Sequence, residues 1–68
     1  MKPQSIQNII NETSEYVNTY VVKTVSGTEY RLTNDECNLV ETSGDLLVYH
    51  GDDGTIWIEC DKIESITI

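Results

Sequence analysis

Positive charge is scarce in this 68-residue chain: four Lys and Arg stand against twelve Asp and Glu, a formal net of −8. Lys2, Lys23, Arg31 and Lys62 are also isolated from one another along the chain. Affinity for a phosphate backbone comes largely from clustered cations that release counterions, so direct nucleic-acid binding is disfavoured. Cysteine is equally sparse. Cys37 and Cys60 are too few for a disulfide scaffold, and a single bridge between them is a minor alternative to free thiols. No long apolar run marks a signal peptide or a membrane span. The expectation is a cytoplasmic protein with reduced thiols and no membrane partner.

Chemical motifs are missing as well. Gly27, Gly44, Gly51 and Gly54 stand singly, as turn residues, and form no phosphate-cradling loop. Asp52-Asp53-Gly54-Thr55 has the carboxylates of a calcium loop. It lacks the alternating Asp/Asn series before the glycine and the closing glutamate after it. His50, Cys37 and Cys60 match no paired zinc-ligand spacing. Cys60 lies between Glu59 and Asp61, whose charge opposes thiolate formation, so it reads as an inert thiol. A chain this short has little room for a cleft in which acid and base could converge. The expectation is therefore no enzyme, no cofactor and no metal. No repeat, low-complexity tract or linker divides residues 1–68, which read as one domain.

What is present is a helical preface followed by β-structure. Residues 1–17 read as a short helix and connector. Pro3 suits the first helical turn, Ile6, Ile9, Ile10 and Val17 fall near one stripe, and weak helix formers end it around 11–14. Residues 18–68 alternate short apolar runs with turn residues. A three-residue loop at Val25-Ser26-Gly27 pairs Tyr20 with Leu32, Val22 with Tyr30 and Lys23 with Glu29, giving one apolar and one charge-matched face. Thr33 to Glu36 is a polar break, and Cys37 to Thr42 reads as a strand with Leu39 and Val40 on opposite faces. Ser43-Gly44-Asp45 is a turn of open register.

The hairpin that follows is central. A three-residue loop at Asp52-Asp53-Gly54 pairs His50 with Ile56, Val48 with Ile58 and Leu46 with Cys60, whereas a four-residue Gly51–Gly54 loop would pair Val48 with Trp57 and mix the two faces. In the three-residue register Leu47, Tyr49, Trp57 and Glu59 share the opposite, outward face. Asp61-Lys62 makes a polar corner before a last strand, Ile63 to Ile68. The expected fold is mainly β: a small, five-stranded, strongly bent SH3/Sm-like barrel with a short N-terminal helix as a lid.

The layout resembles the Sm-like proteins. The likeness rests on the helix, Tyr20–Val25, the turn glycine Gly27, Tyr30–Leu32, Asp35 with Asn38-Leu39, and the closing run Ile63-Glu64-Ser65-Ile66-Thr67-Ile68. It implies a bent barrel and assembly into a ring or dimer. The second glycine and the basic RNA-contacting residues of that family are absent, so the likeness does not extend to RNA contact.

Function is expected at Leu47, Tyr49, Trp57 and Glu59, since aromatic side chains on a hairpin's outer face are favoured interface anchors. The expectation is a non-catalytic interaction module that self-associates or binds a protein partner. An acidic decoy that occupies a basic, nucleic-acid-binding protein surface is the alternative, with Sm-like sequestration of a nucleotide or short RNA as a third reading.

Overall fold

Two hairpin systems, each built on an antiparallel centre, make up the body of the protein. The computed structural model describes residues 1–68. Helix α1 (Pro3–Thr13) is followed by β1 (Thr19–Thr24), β2 (Glu29–Thr33), β3 (Leu39–Ser43), β4 (Leu46–Gly51) and β5 (Gly54–Glu59). A 3₁₀ turn (Cys60–Lys62) then leads into β6 (Ile63–Thr67). The strands form two three-stranded sheets, ordered β2-β1-β6 and β3-β4-β5.

The strand count corrects the expectation of five strands: there are six, and the sheets do not close on one another. The gap between β2 and β3 lies at the polar break. Asp35 accepts from the backbone N–H groups of Cys37 and Asn38 at 2.8 and 2.9 Å, and from the Asn38 side chain at 3.0 Å. Its own N–H donates to the Asn38 carbonyl at 2.9 Å. These local bonds occupy groups that a continuous strand would offer to a neighbour, so the chain turns and β3 begins at Leu39 rather than Cys37.

The first hairpin has the expected register. Tyr20 faces Leu32, Val22 faces Tyr30 and Lys23 faces Glu29. Gly27, at φ 92°, takes the left-handed position that closes the three-residue loop. The same strand pairs on its other side with β6, through Val22–Ile66 and Lys23–Ser65.

The central hairpin is shifted by one residue from expectation. Gly51 faces Gly54, so the loop is Asp52-Asp53, and Tyr49 pairs with Ile56, Val48 with Trp57 and Leu47 with Ile58. The cause is β3. Gly44, at φ 60°, opens a two-residue Gly44-Asp45 turn that sets Ser43 against Leu46 and Glu41 against Val48. An inward Val48 would carry Glu41 into the core with it. The observed register instead sends Leu47 and Val40 inward and leaves Glu41 and His50 in contact with water, because a one-residue slip exchanges the two faces of a strand.

Between the sheets lies the core: Val22 and Leu32 from one sheet, Val40, Leu47 and Ile58 from the other, with Cys60 and Ile63 at the corner. Helix α1 covers it with Ile6 and Ile10, while Ile9 and Val17 are only half-buried. The helix packs mainly on β3. Gln7 anchors it there, its Oε1 accepting from the Thr42 N–H at 3.1 Å and the Thr42 hydroxyl at 2.7 Å. At the other end the Met1 amino group donates to the Cys60 and Ile63 carbonyls at 2.7 and 2.8 Å. No helix is long and apolar enough to cross a membrane.

Candidate functional site

The site expected from sequence is split between two faces. Leu47 is a core residue, 1 % exposed. Tyr49 points the same way, half-buried against the core, with its ring over Gly51. Trp57 and Glu59 lie on the opposite side of the sheet and are exposed. The grouping of Leu47 and Tyr49 with Trp57 and Glu59 is therefore corrected by the pairing of β4 with β5.

The residues that do accompany Trp57 follow from the registers. Across the outer face run three rows: Leu39–His50–Thr55, Glu41–Val48–Trp57 and Ser43–Leu46–Glu59. Trp57 is 63 % exposed and Leu39 46 %. Leu46 is half-buried. Val48 also faces outward but is only 5 % exposed. It sits on the middle strand, where long neighbours on both sides, Glu41 and Trp57, shield it. The face thus has an apolar centre with carboxylates around it. Glu41 reaches diagonally to His50, Oε1 to Nε2 3.5 Å, in a pair about half open to solvent on each side.

Charge is not evenly distributed. Residues 32–61 hold Asp35, Glu36, Glu41, Asp45, Asp52, Asp53, Glu59 and Asp61 and no Lys or Arg, a formal −8. The other four acids, Glu12, Glu15, Glu29 and Glu64, equal the four cations Lys2, Lys23, Arg31 and Lys62, so the rest of the chain sums to zero. The net charge of the protein therefore resides in the segment from the β2–β3 loop through β3-β4-β5 to the 3₁₀ turn, and Arg31 of β2 comes near it in a groove shared with Asp53. Counting charge by window rather than over the whole chain is the signal that would have found this.

One concavity borders the face, and a second lies on the Tyr49–Ile56 side of the sheet. A recess of about 610 Å³ opens beside the 3₁₀ turn, lined by Lys2, Asp45, Leu46, Glu59 and Asp61 among others. Leu46 and Glu59 belong to both the recess and the outer face. A smaller groove of about 330 Å³ lies at the tip of the β4–β5 hairpin, between Arg31, Tyr49, Asp53 and Ile56.

Neither thiol joins a site. Cys37 is exposed and Cys60 buried, both free. Burial pushes the Cys60 thiol up; the Met1 amino group pulls it down, while Asp45 and Asp61 add to the rise. The Asp35 carboxyl is held below its ordinary 3.8, chiefly by the Cys37 N–H and then by the Asn38 side chain. Nowhere do three His, Cys, Asp or Glu side chains converge as a metal would require. No family model, no curated protein and no solved structure matches the chain.

Proposed function

We propose that the protein is a non-catalytic interaction module whose docking surface is the outer face of β3-β4-β5, with Trp57 as its anchor. The observation that carries this is a lone tryptophan, 63 % exposed, on the same outer sheet face as Leu39 and Leu46. Tryptophan is among the residues that contribute most at protein interfaces, and a large aromatic ring left in water is otherwise unfavourable. The two pairing registers hold the rows of this face on a three-stranded sheet, a rigid support for a recognition patch.

The scaffold fits the same reading. The sheet order β2-β1-β6 followed by the meander β3-β4-β5, with a 3₁₀ turn before the last strand, supports reading the chain as a bent SH3/Sm-like scaffold whose two sheets stay unpaired at both β2–β3 and β5–β6. In such a scaffold the acidic meander presents one broad face outward, and specificity resides in its side chains rather than in the fold.

The test is paired affinity capture from a cell lysate with the parent and with Trp57→Ala, each checked for folding by circular dichroism. A partner held by the parent and lost by folded Trp57→Ala is the expected outcome. An identical set of bound proteins on both columns would rule out this face as the docking surface.

A further inference from the structure

We infer that this face is built for a cationic protein surface that presents an apolar or arginine side chain to Trp57, and not for a second copy of the chain. The inference rests on the reading of the β3-β4-β5 face as the docking surface, and concerns what it binds.

Three observations converge. First, the rim of the face carries Glu41 and Glu59, and its turns carry Asp45, Asp52 and Asp53, with no Lys or Arg in residues 32–61. Second, the recess holding Asp45 and Asp61 is continuous with the face through Leu46 and Glu59. A lysine or arginine flanking the partner's anchor therefore meets acceptors at that end. Lys2 also lines the recess and leaves it net negative. Third, the only basic side chain on the face, His50, lies 3.5 Å from Glu41, so no Lys or Arg on the face competes with a partner's cations.

A symmetric dimer through this face would set the same patch against itself. The acid-rich face of one copy, with Glu41 and Glu59 at its two edges, would then lie against the same acid-rich face of the other. Like charges brought together at an interface are strongly disfavoured, while opposite ones steer association and fix register. A guanidinium over the exposed indole adds a cation–π attraction that an acidic partner lacks. Apolar centre and anionic rim together describe a partner with an apolar or arginine anchor inside a basic rim.

Trp57 is the only tryptophan in the chain, so its fluorescence reports directly on the face. The probes are a short oligolysine with a central leucine, the all-lysine peptide, and an oligoglutamate with a central leucine. The leucine-centred oligolysine is expected to shift Trp57 emission and to bind about threefold or more tighter than the all-lysine peptide, the scale of one exposed apolar or cation–π contact. Its Kd should rise about tenfold between roughly 50 and 300 mM NaCl, since the rim charges are screened. The oligoglutamate should not bind.

Location is tested by two charge-matched double variants. Glu41→Gln/Glu59→Gln should weaken the oligolysine markedly, whereas Glu12→Gln/Glu15→Gln, which removes the same charge from the helix end, should leave it nearly unchanged. Equal weakening by both, or binding without any change in Trp57 emission, would overturn the inference. So would a dimer in light scattering at neutral pH and physiological salt that Trp57→Ala abolishes; that result would keep the docking face and replace its occupant. A captured partner that depends on Trp57 but lacks a basic surface has the same meaning.

Discussion

Thr13, the last residue of α1, and Tyr20, in β1, meet through buried hydroxyl oxygens 2.7 Å apart. Thr13 also donates its single proton to the Ile9 carbonyl at 2.7 Å, so the Tyr20 hydroxyl is the donor to Thr13. The two roles are unequal. Tyr20→Phe removes a donor and leaves Thr13 still bonded to Ile9. Thr13→Val strands a buried tyrosine hydroxyl, a loss of about 1–3 kcal/mol. Urea unfolding should show Thr13→Val as the more destabilised variant, with the double variant recovering part of the difference. Equal losses would mean that Tyr20 finds water in place of Thr13.

Gly51 has a packing role. A Cβ there would lie 2.6 Å from Cε2 of Tyr49, whose ring leans on the core. Gly51→Ala should force the ring outward and cost about 1–3 kcal/mol, the usual scale of overpacking. In a Tyr49→Leu background the same substitution should cost distinctly less, because the two residues are in contact. Additive losses in the double-mutant cycle would show that the ring is not what Gly51 accommodates.

Gly54 differs from Gly51 in kind. Its surroundings are open, but its φ of 135° disfavours any side chain. Gly54→Val should therefore destabilise by more than about 1 kcal/mol through the backbone alone. The effect should persist unchanged in Tyr49→Leu, in contrast to that of Gly51→Ala.

Asp35 makes the loop between the two sheets acid-sensitive. Hydrogen bonds from the Cys37 N–H, the Asn38 side chain and the Asn38 N–H hold its carboxyl below 3.8. With the folded value below the unfolded one, the ionised group stabilises the fold above the unfolded value, and that contribution is lost as pH falls through the folded value. Asp35→Ala should lower Tm near neutral pH, and the gap from the parent should shrink as pH drops below 3.8. A gap independent of pH would exclude the charge as its source.

The environment of Trp57 can be read with ionic quenchers. Its exposure predicts strong quenching by neutral acrylamide, and the carboxylates around it predict that caesium quenches more than iodide. The bias should fade at high salt. A preference for iodide would contradict the anionic rim.

Thiol reactivity separates the cysteines. Cys37 is exposed, whereas burial and neighbouring carboxylates hold the Cys60 thiol above its usual range. A native sample should titrate one thiol with a disulfide reagent, and a denatured sample two. Two fast thiols in the native state would mean that the corner around the 3₁₀ turn opens readily.

Local chemistry in the sequence determined the helix, its Ile6/Ile10 face and the whole first hairpin. In each case a single periodicity meets a single turn: Gly27 closes the loop, and Tyr20, Val22, Tyr30 and Leu32 leave only one apolar face. The central hairpin carries no such parity signal. Leu46-Leu47-Val48-Tyr49 and Ile56-Trp57-Ile58 are apolar on both sides, so a slip of one residue costs nothing that a two-strand comparison can detect. Its faces were decided in the folded sheet, where β4 is the middle strand and must answer to β3 as well as β5. Glu41, paired with Val48 by the Gly44 turn, has to face water, and that requirement turned Leu47 and Tyr49 inward, while the two-residue Asp52-Asp53 loop set Trp57 opposite Val48 and left it outside among the acids.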